Sequence, residues 1–347
     1  MVVEAPEASS IREGSPSPPI ALLALWQPGG AVILPAVTDT HRPVWSVLIP
    51  TFNCARFLGT TLESVLEQDP GPDLMEIMVI DDASSDSPRD VVESVGRGRV
   101  RFIGRDQNVG KVRNYEFGLA ASRGRLIHQL HGDDFVRPGF YEAMERAFDQ
   151  FPEAGAFFSR CEYVDEASNI TGAVDPELSS TGLLDDWLAK ISTHQRILTP
   201  SMVVHRHVYE SLGGFDRRLD AFEDWEMWIR MATQFDVGFV PDATACYRAS
   251  EANNTMRTLR AGTRFKQLKT MLEIVDSYLP AEVLSRIRDE RNRGLAQYVT
   301  EMIPTLMKHR EYTTVPKLYV EALSFRRNPR VFYRLLHFTL NYRKYIS

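Results

Sequence analysis

The sequence predicts an α/β domain built on a mostly parallel sheet flanked by helices, followed by a C-terminal helical appendage. Three observations predict it. Short apolar runs at 47–49, 77–80, 100–103 and 126–130 alternate with helix-period stretches, the pattern of parallel strands joined by crossover helices. Polar and acidic residues follow the first, second and fourth runs, where an open sheet of this class gathers its ligands. From Arg257 onward the strand pattern disappears and long helical stretches take over.

The first helix is expected over 56–68, where Phe57, Leu58, Leu62, Val65 and Leu66 fall near one face and Asp69-Pro70-Gly71-Pro72 supplies the stop. A second spans 112–121 with Tyr115, Leu119 and Ala120 turned inward, ending by Gly124. A third starts near Pro138, a favourable first-turn residue, and runs to Phe151 ahead of Pro152. Strand-like pieces at 156–159, 201–204 and 237–240 surround a helical stretch at 222–232. Helices at 264–278 and 281–307 follow, punctuated by Pro280, Pro304, Pro316 and Pro329. The expected divisions are a flexible leader at 1–43, a domain at 44–255 split near 135 into two halves, and a helical region at 256–347. Within the leader, the apolar residues 20–37 are broken by Gln27, Pro28, Gly29 and Gly30, which suits a hairpin better than a membrane span.

Hydrophobic residues make up 44% of the 347, enough for a sizeable core. The formal net charge of -6 lacks the basic footprint that nucleic-acid binding demands. Charge is unevenly spread: from Lys308 to the end, nine Lys or Arg face two acids. That basic, aromatic tail suits peripheral contact with an anionic membrane, a packing helix or an oligomer contact. The three cysteines, Cys54, Cys161 and Cys246, have no C-x-x-C spacing, so reduced thiols and a cytoplasmic setting are expected. The membrane contact would place the chain on the inner face.

The strand ends carry the chemistry. Pro50-Thr51-Phe52-Asn53 follows the first strand, Asp81-Asp82 the second and His131-Gly132-Asp133-Asp134 the fourth. Asp133 and Asp134 offer hard oxygen ligands suited to Mg²⁺ or Mn²⁺ shared with substrate phosphates. Asp81 and Asp82 can accept hydrogen bonds from a base or ribose, and Phe52 can present an apolar face to the base. Asn108-Val109-Gly110-Lys111 opens a helix, where unpaired backbone N–H groups favour anions; Lys111 and Arg113 extend that preference to a diphosphate. No G-x-G-x-x-G follows the first strand, which disfavours a dinucleotide-dependent oxidoreductase.

The runs VLIPTFN, VIDDASSD and NVGKVRNYEFGLAASRGRLIHQLHGDDFVRPGF resemble the nucleotide-sugar-binding half of inverting family 2 glycosyltransferases. A later segment, GGFDRRLDAFEDWEMWIRMA, resembles that family's acceptor-side motif. The resemblance covers residues 45 to 250 and implies a GT-A type fold. It implies that Pro50, Thr51, Phe52 and Asp82 surround the nucleotide base, with Asp81 and Asn53 close by. It makes Asp134 and Asp133 the end of the metal-binding motif and Asp224 the general base, with Glu223 the other candidate. His131 stands where many relatives have Asp, and serves either as a metal ligand or as a structural histidine. Ser250 stands where relatives often have His. The implied reaction moves a sugar from a UDP- or dTDP-type donor to a glycan, lipid-linked or small-molecule hydroxyl, as in bacterial polysaccharide or glycoconjugate synthesis. A nucleotidyltransferase is the first rival, but the glycine-rich, Lys/Arg-bearing loop it would need after the first strand is missing from this sequence. A catalytically idle nucleotide-sugar-binding protein is the second, opposed by the retained Asp133, Asp134 and Asp224.

Overall fold

The computed structural model describes residues 34–39, 41–250, 254–308, 310–326 and 329–346. The expected leader up to residue 33, with most of the expected hairpin, lies outside the described residues. In chain order the elements begin β1 (Trp45–Thr51), α1 (Ala55–Leu66), β2 (Met75–Asp81), α2 (Pro88–Val95), β3 (Val100–Gly104), α3 (Lys111–Ala121) and β4 (Leu126–Gln129). There follow β5 (Phe135–Val136), α4 (Phe140–Gln150), β6 (Ala156–Val164), β7 (Ile170–Ala173), β8 (Gly182–Leu183), α5 (Trp187–Thr193), β9 (Met202–His205), α6 (Arg206–Leu212), α7 (Glu223–Ala232) and β10 (Val237–Arg248). The remainder is helical: α8 (Asn254–Arg260), α9 (Arg264–Tyr278), α10 (Ala281–Glu301), α11 (Ile303–Lys308), α12 (Val315–Phe325) and α13 (Pro329–Ile346).

The sheet runs β3-β2-β1-β4-β9-β6-β10-β5, with β7 on β6 and β8 on β10. Its first four strands are parallel, as the alternating pattern predicts, and every residue of β1 is buried, as a strand covered on both faces must be. Antiparallel neighbours begin at β9, which pairs with both β4 and β6, and β6 pairs in parallel with β10. The chain travels outward from β1 to β3 and returns to lay β4 on the other flank of β1. That reversal is the topological switch point, and a crevice outside the carboxyl ends of β1 and β4 is its consequence. Thr51 pairs with Asp81 and Asp81 with Gly104, so the loops after β1, β2 and β3 leave the sheet at one level.

A single apolar cluster fills the space between this sheet and helices α1 and α4, including Val47, Ile49, Leu58, Leu62, Val79, Phe140 and Met144. The third expected helix starts later than Pro138. Gly139 takes φ 86, a left-handed conformation that favours glycine, and α4 begins beyond it. The helix expected over 281–307 is two helices, α10 and α11.

The chain forms two compact units. One joins the described residues up to Asp185 with Ile197–Ser250, and the other joins Asp186–Arg196 with the residues that follow Ser250. Thus α5, embedded in the first unit's sequence, belongs to the helical unit, where Asp186 pairs with Arg286 at 2.5 Å. In that unit α10 packs on α5, α11 and α12, and α12 packs on α13. Arg291 is held by Asp276 through two bonds of 2.6 and 2.9 Å. Among the described residues, no helix is long and apolar enough to cross a membrane.

Candidate active site

The loops after β1 and β2 are laced together by their own polar side chains. Asn53, at φ 51, receives the Ser85 amide on Oδ1 at 2.9 Å, while its own N–H donates to Ser84 Oγ at 2.9 Å. Asp81 accepts from the Ser84 amide at 3.1 Å and from the Ser84 hydroxyl. Burial raises the Asp81 carboxyl above its ordinary range, Ser84 offsets part of that rise, and Asp86 and Asp82 add to it. Asp82 is 2% exposed and spends each carboxylate oxygen on a backbone N–H, Val109 at 2.8 Å and Gly110 at 3.0 Å. It therefore holds the loop that opens α3 against the end of β2. Phe52 is 52% exposed, so an aromatic face stands at the rim of this cradle. Pro50 and Thr51 are buried, and the Pro50 carbonyl accepts from the Gly132 amide at 3.1 Å.

That last bond brings the β4 loop under β1. Gly132 is required there, because a Cβ would lie 2.9 Å from Thr51 Oγ1 and 2.8 Å from Cys54 Sγ. The loop places His131, Asp133 and Asp134 so that one ligand atom from each lies within 4.8 Å of the others. Asp134 is 1% exposed. Its Oδ1 accepts from the Arg248 amide at 2.8 Å, while its Oδ2 is buried without a hydrogen-bond partner, 3.5 Å from His131 Nδ1. A buried carboxylate oxygen with only an imidazole 3.5 Å away is poorly satisfied, which is costly. Here it points to a cation, and two carboxylates beside an imidazole fit a divalent ion that takes its other ligands from phosphates and water. Burial, with Asp134 next to it, pushes Asp133 up to about 6. Burial pulls His131 down, but the Asp134 and Asp133 carboxylates outweigh it and the net shift is upward.

Two residues that the sequence reading left without a role complete this centre. Tyr115 on α3 lies with its hydroxyl 2.9 Å from His131 Nε2 and its ring stacked on the imidazole at 5.6 Å. Its phenol is raised well above 10, by burial first and then by Glu223, Asp224, Asp133 and Asp134. Helix α3 thus touches the β4 loop through Tyr115 and α7 through Lys111, which pairs with Glu223. Arg248, 1% exposed at the end of β10, donates from Nε to the Asp133 carbonyl at 2.9 Å and from its terminal nitrogens to the Asp165 carbonyl and Ser168. Its guanidinium also covers the Phe57 ring at 4.5 Å. It acts as a clamp behind the aspartates. The run Cys246-Tyr247-Arg248 in the sequence is the one signal that could have flagged it.

In the later segment, α7 starts at Glu223 after Phe222, whose φ of 65 turns the chain sharply. Glu223 Oε1 pairs with Lys111 Nζ at 2.7 Å, so the cation that opens α3 is tied to the first residue of α7. Burial raises the Glu223 carboxyl, Lys111 opposes that rise and Asp224 adds to it. Asp224 is only partly buried; Oδ1 accepts from the Trp225 amide at 2.8 Å and Oδ2 from the Thr199 hydroxyl at 3.2 Å. Arg113, one turn into α3, is exposed, and Gly110 caps the helix at φ 86. Trp225 and Trp228 are 3% and 1% exposed, so both pack in the core and neither offers a ring face to an acceptor. Ser250 is buried.

Comparison with known proteins agrees with this geometry. Residues 46–213 match the model of the Glycosyl transferase family 2 family. An uncharacterised protein of Mycobacterium tuberculosis is 26% identical over 279 residues, covering 74% of this chain and 84% of its own length. An uncharacterised glycosyltransferase of Rickettsia typhi is 23% identical over 232 residues, covering 66% and 71%. Among solved structures, S. aureus TarS 1-349 in complex with UDP-GlcNAc shares the fold at a TM-score of 0.58 and 16% identity, over 83% of this chain and 82% of that one. Motifs, sheet order, carboxylate cluster and these matches together support a family 2 glycosyltransferase of the GT-A fold, with residues 46–213 as its family 2 domain.

Proposed function

We propose that the chain transfers a sugar from a UDP- or dTDP-type donor to a hydroxyl acceptor with inversion at the anomeric carbon, Asp224 serving as general base. One observation carries this reading: α3 bears both Tyr115, 2.9 Å from His131 beside the Asp133/Asp134 pair, and Lys111, 2.7 Å from Glu223 next to Asp224, so one helix ties the two carboxylate pairs to a single site. In the proposed step the acceptor O–H gives its proton to Asp224 as its oxygen bonds to the anomeric carbon. The bond from that carbon to the diphosphate breaks, and the electron pair leaves with the diphosphate. A positioned base contributes roughly 10² to 10⁴-fold to such a step.

Asp224 suits the role better than Glu223. Its hydrogen bonds to Trp225 N–H and Thr199 orient the carboxylate, whereas Glu223, with a side chain 5% exposed, is committed to Lys111. Lys111 retains donors for a phosphate oxygen, and Arg113 adds a second cation. Asp134 and Asp133, with His131, would hold Mn²⁺ or Mg²⁺, which supplies charge neutralisation for the departing diphosphate. Phe52, Asn53, Asp81 and the Pro50–Thr51 end of β1 form the base side, with Asp82 holding the loop beside it. The UDP-GlcNAc bound by the structurally similar TarS supports a uridine donor. A glycan, lipid-linked or small-molecule acceptor in bacterial polysaccharide or glycoconjugate synthesis, at the cytoplasmic face, accords with the reading.

The test is nucleotide diphosphate release from a panel of UDP- and dTDP-sugars, with and without Mn²⁺ and candidate acceptors. Release that requires the ion and is lost in Asp134→Ala supports the proposal. No release with any donor overturns it.

A further inference from the structure

Two adjoining cavities mark the helical unit, and they differ in chemistry. The first, of about 250 Å³, is lined by Arg293 of α10, Arg326 after α12, and Arg330 and Arg334 of α13. Among the described residues no carboxylate lines it. The second, of about 480 Å³, is lined chiefly by apolar and aromatic side chains, among them Ile303, Pro304, Met307, Tyr319 and Phe338. Thr300 and Arg334 belong to both linings, so the two spaces lie side by side. Arg293 has Asp289 at 3.9 Å on its own helix. Four guanidiniums around one concavity still leave an excess of positive charge in its lining, which favours an anion with several acceptor oxygens, phosphate above all. An apolar cavity opening beside them favours a hydrocarbon attached to that anion.

We propose that the helical unit binds a phosphate ester bearing an apolar tail, the phosphate in the arginine cleft and the tail in the adjoining cavity. The inference rests on α10–α13 alone and stands or falls separately from the catalytic reading. A bilayer phospholipid and a single phosphorylated lipid share this chemistry. The outer face of α13 favours the bilayer, because Phe332, Leu336 and Leu340, at four-residue spacing, are 58%, 46% and 76% exposed beside the arginines.

The full-length protein is titrated with inorganic phosphate, with dihexanoyl phosphatidate and with dihexanoyl phosphatidylcholine. It is also floated with vesicles of phosphatidylcholine, with or without phosphatidylglycerol. The site predicts saturable phosphatidate binding at least about tenfold tighter than phosphate or phosphatidylcholine, and a loss of about tenfold or more in Arg330→Glu with Arg334→Glu. Arg326→Gln, at the exposed end of α12, should weaken binding by a smaller factor while keeping the wild-type melting curve. Arginine-dependent flotation with the anionic vesicles identifies the bilayer as the source; phosphatidate binding without flotation identifies a single lipid molecule. Phosphate binding as tightly as phosphatidate, phosphatidylcholine binding equally well, or wild-type affinity in the folded arginine variants overturns the proposal.

Discussion

Lys111 Nζ lies 2.7 Å from Glu223 Oε1, an ion pair that joins the first residue of α3 to the first residue of α7. The Glu223 side chain is 5% exposed and the Lys111 side chain 23%. Removing one partner of such a pair strands a buried charge, which costs about 3 kcal/mol or more, whereas removing both costs far less. Lys111→Met should therefore destabilise the protein more than Lys111→Met combined with Glu223→Gln. Urea unfolding of the four-member cycle should show a coupling of about 1 to 3 kcal/mol. Additive effects would mean that the pair does not tie the two helices.

Tyr115 fixes the orientation of His131 through the hydrogen bond to Nε2, leaving Nδ1 towards Asp134. Partners that orient a ligand from behind typically carry about 10- to 100-fold in metal affinity. Tyr115→Phe should thus raise the Mn²⁺ concentration that gives half-maximal nucleotide release by about tenfold, with a smaller effect on release at saturating Mn²⁺. An unchanged Mn²⁺ requirement would show that His131 needs no such support or is no ligand.

His128 is fully buried, with Nε2 2.9 Å from the Pro200 carbonyl and Nδ1 3.1 Å from the Tyr141 hydroxyl. The carbonyl can only accept, so Nε2 carries the hydrogen and Nδ1 accepts from Tyr141. Burial above all lowers its pKa from 6.5 to about 4. The folded value lies below the unfolded one, so the unfolded chain binds the proton first and stability is lost as pH falls. The His128 contribution is intact above pH 6.5 and is removed progressively down to about pH 4. The full loss is about 3 kcal/mol. Unfolding free energies measured across that window should fall with acid in the wild type and less steeply in His128→Gln. Equal slopes would exclude His128 as a source of the acid sensitivity.

The parallel half of the sheet is legible in the sequence because each strand is a short apolar run between helix-period stretches, and burial on both faces demands that composition. The acidic residues at strand ends are legible for the same reason, since strand order fixes where they gather. Partnerships across long separations are not. The Arg248 amide reaches Asp134 over 114 residues, and nothing local to either marks the bond. Tyr115 reads as one more apolar position on a helical face, because its hydroxyl acquires meaning only when β4 delivers His131. Asp82 reads as a base contact, and the structure shows that both its oxygens also hold the Val109 and Gly110 amides. The membership of α5 in the helical unit is equally hidden, for a seven-residue helix carries no sign of the surface it will pack against.

The most direct test of the account compares Asp224→Asn with the wild type, using calorimetric titration of the active nucleotide sugar and the rate of sugar transfer. The substitution keeps the size of the side chain and an oxygen for Trp225 N–H, and removes the capacity to take a proton. The account predicts donor affinity within about twofold of the wild type and transfer slowed by about 10² to 10⁴-fold. Transfer at the wild-type rate would contradict it, and would remove Asp224 as the base.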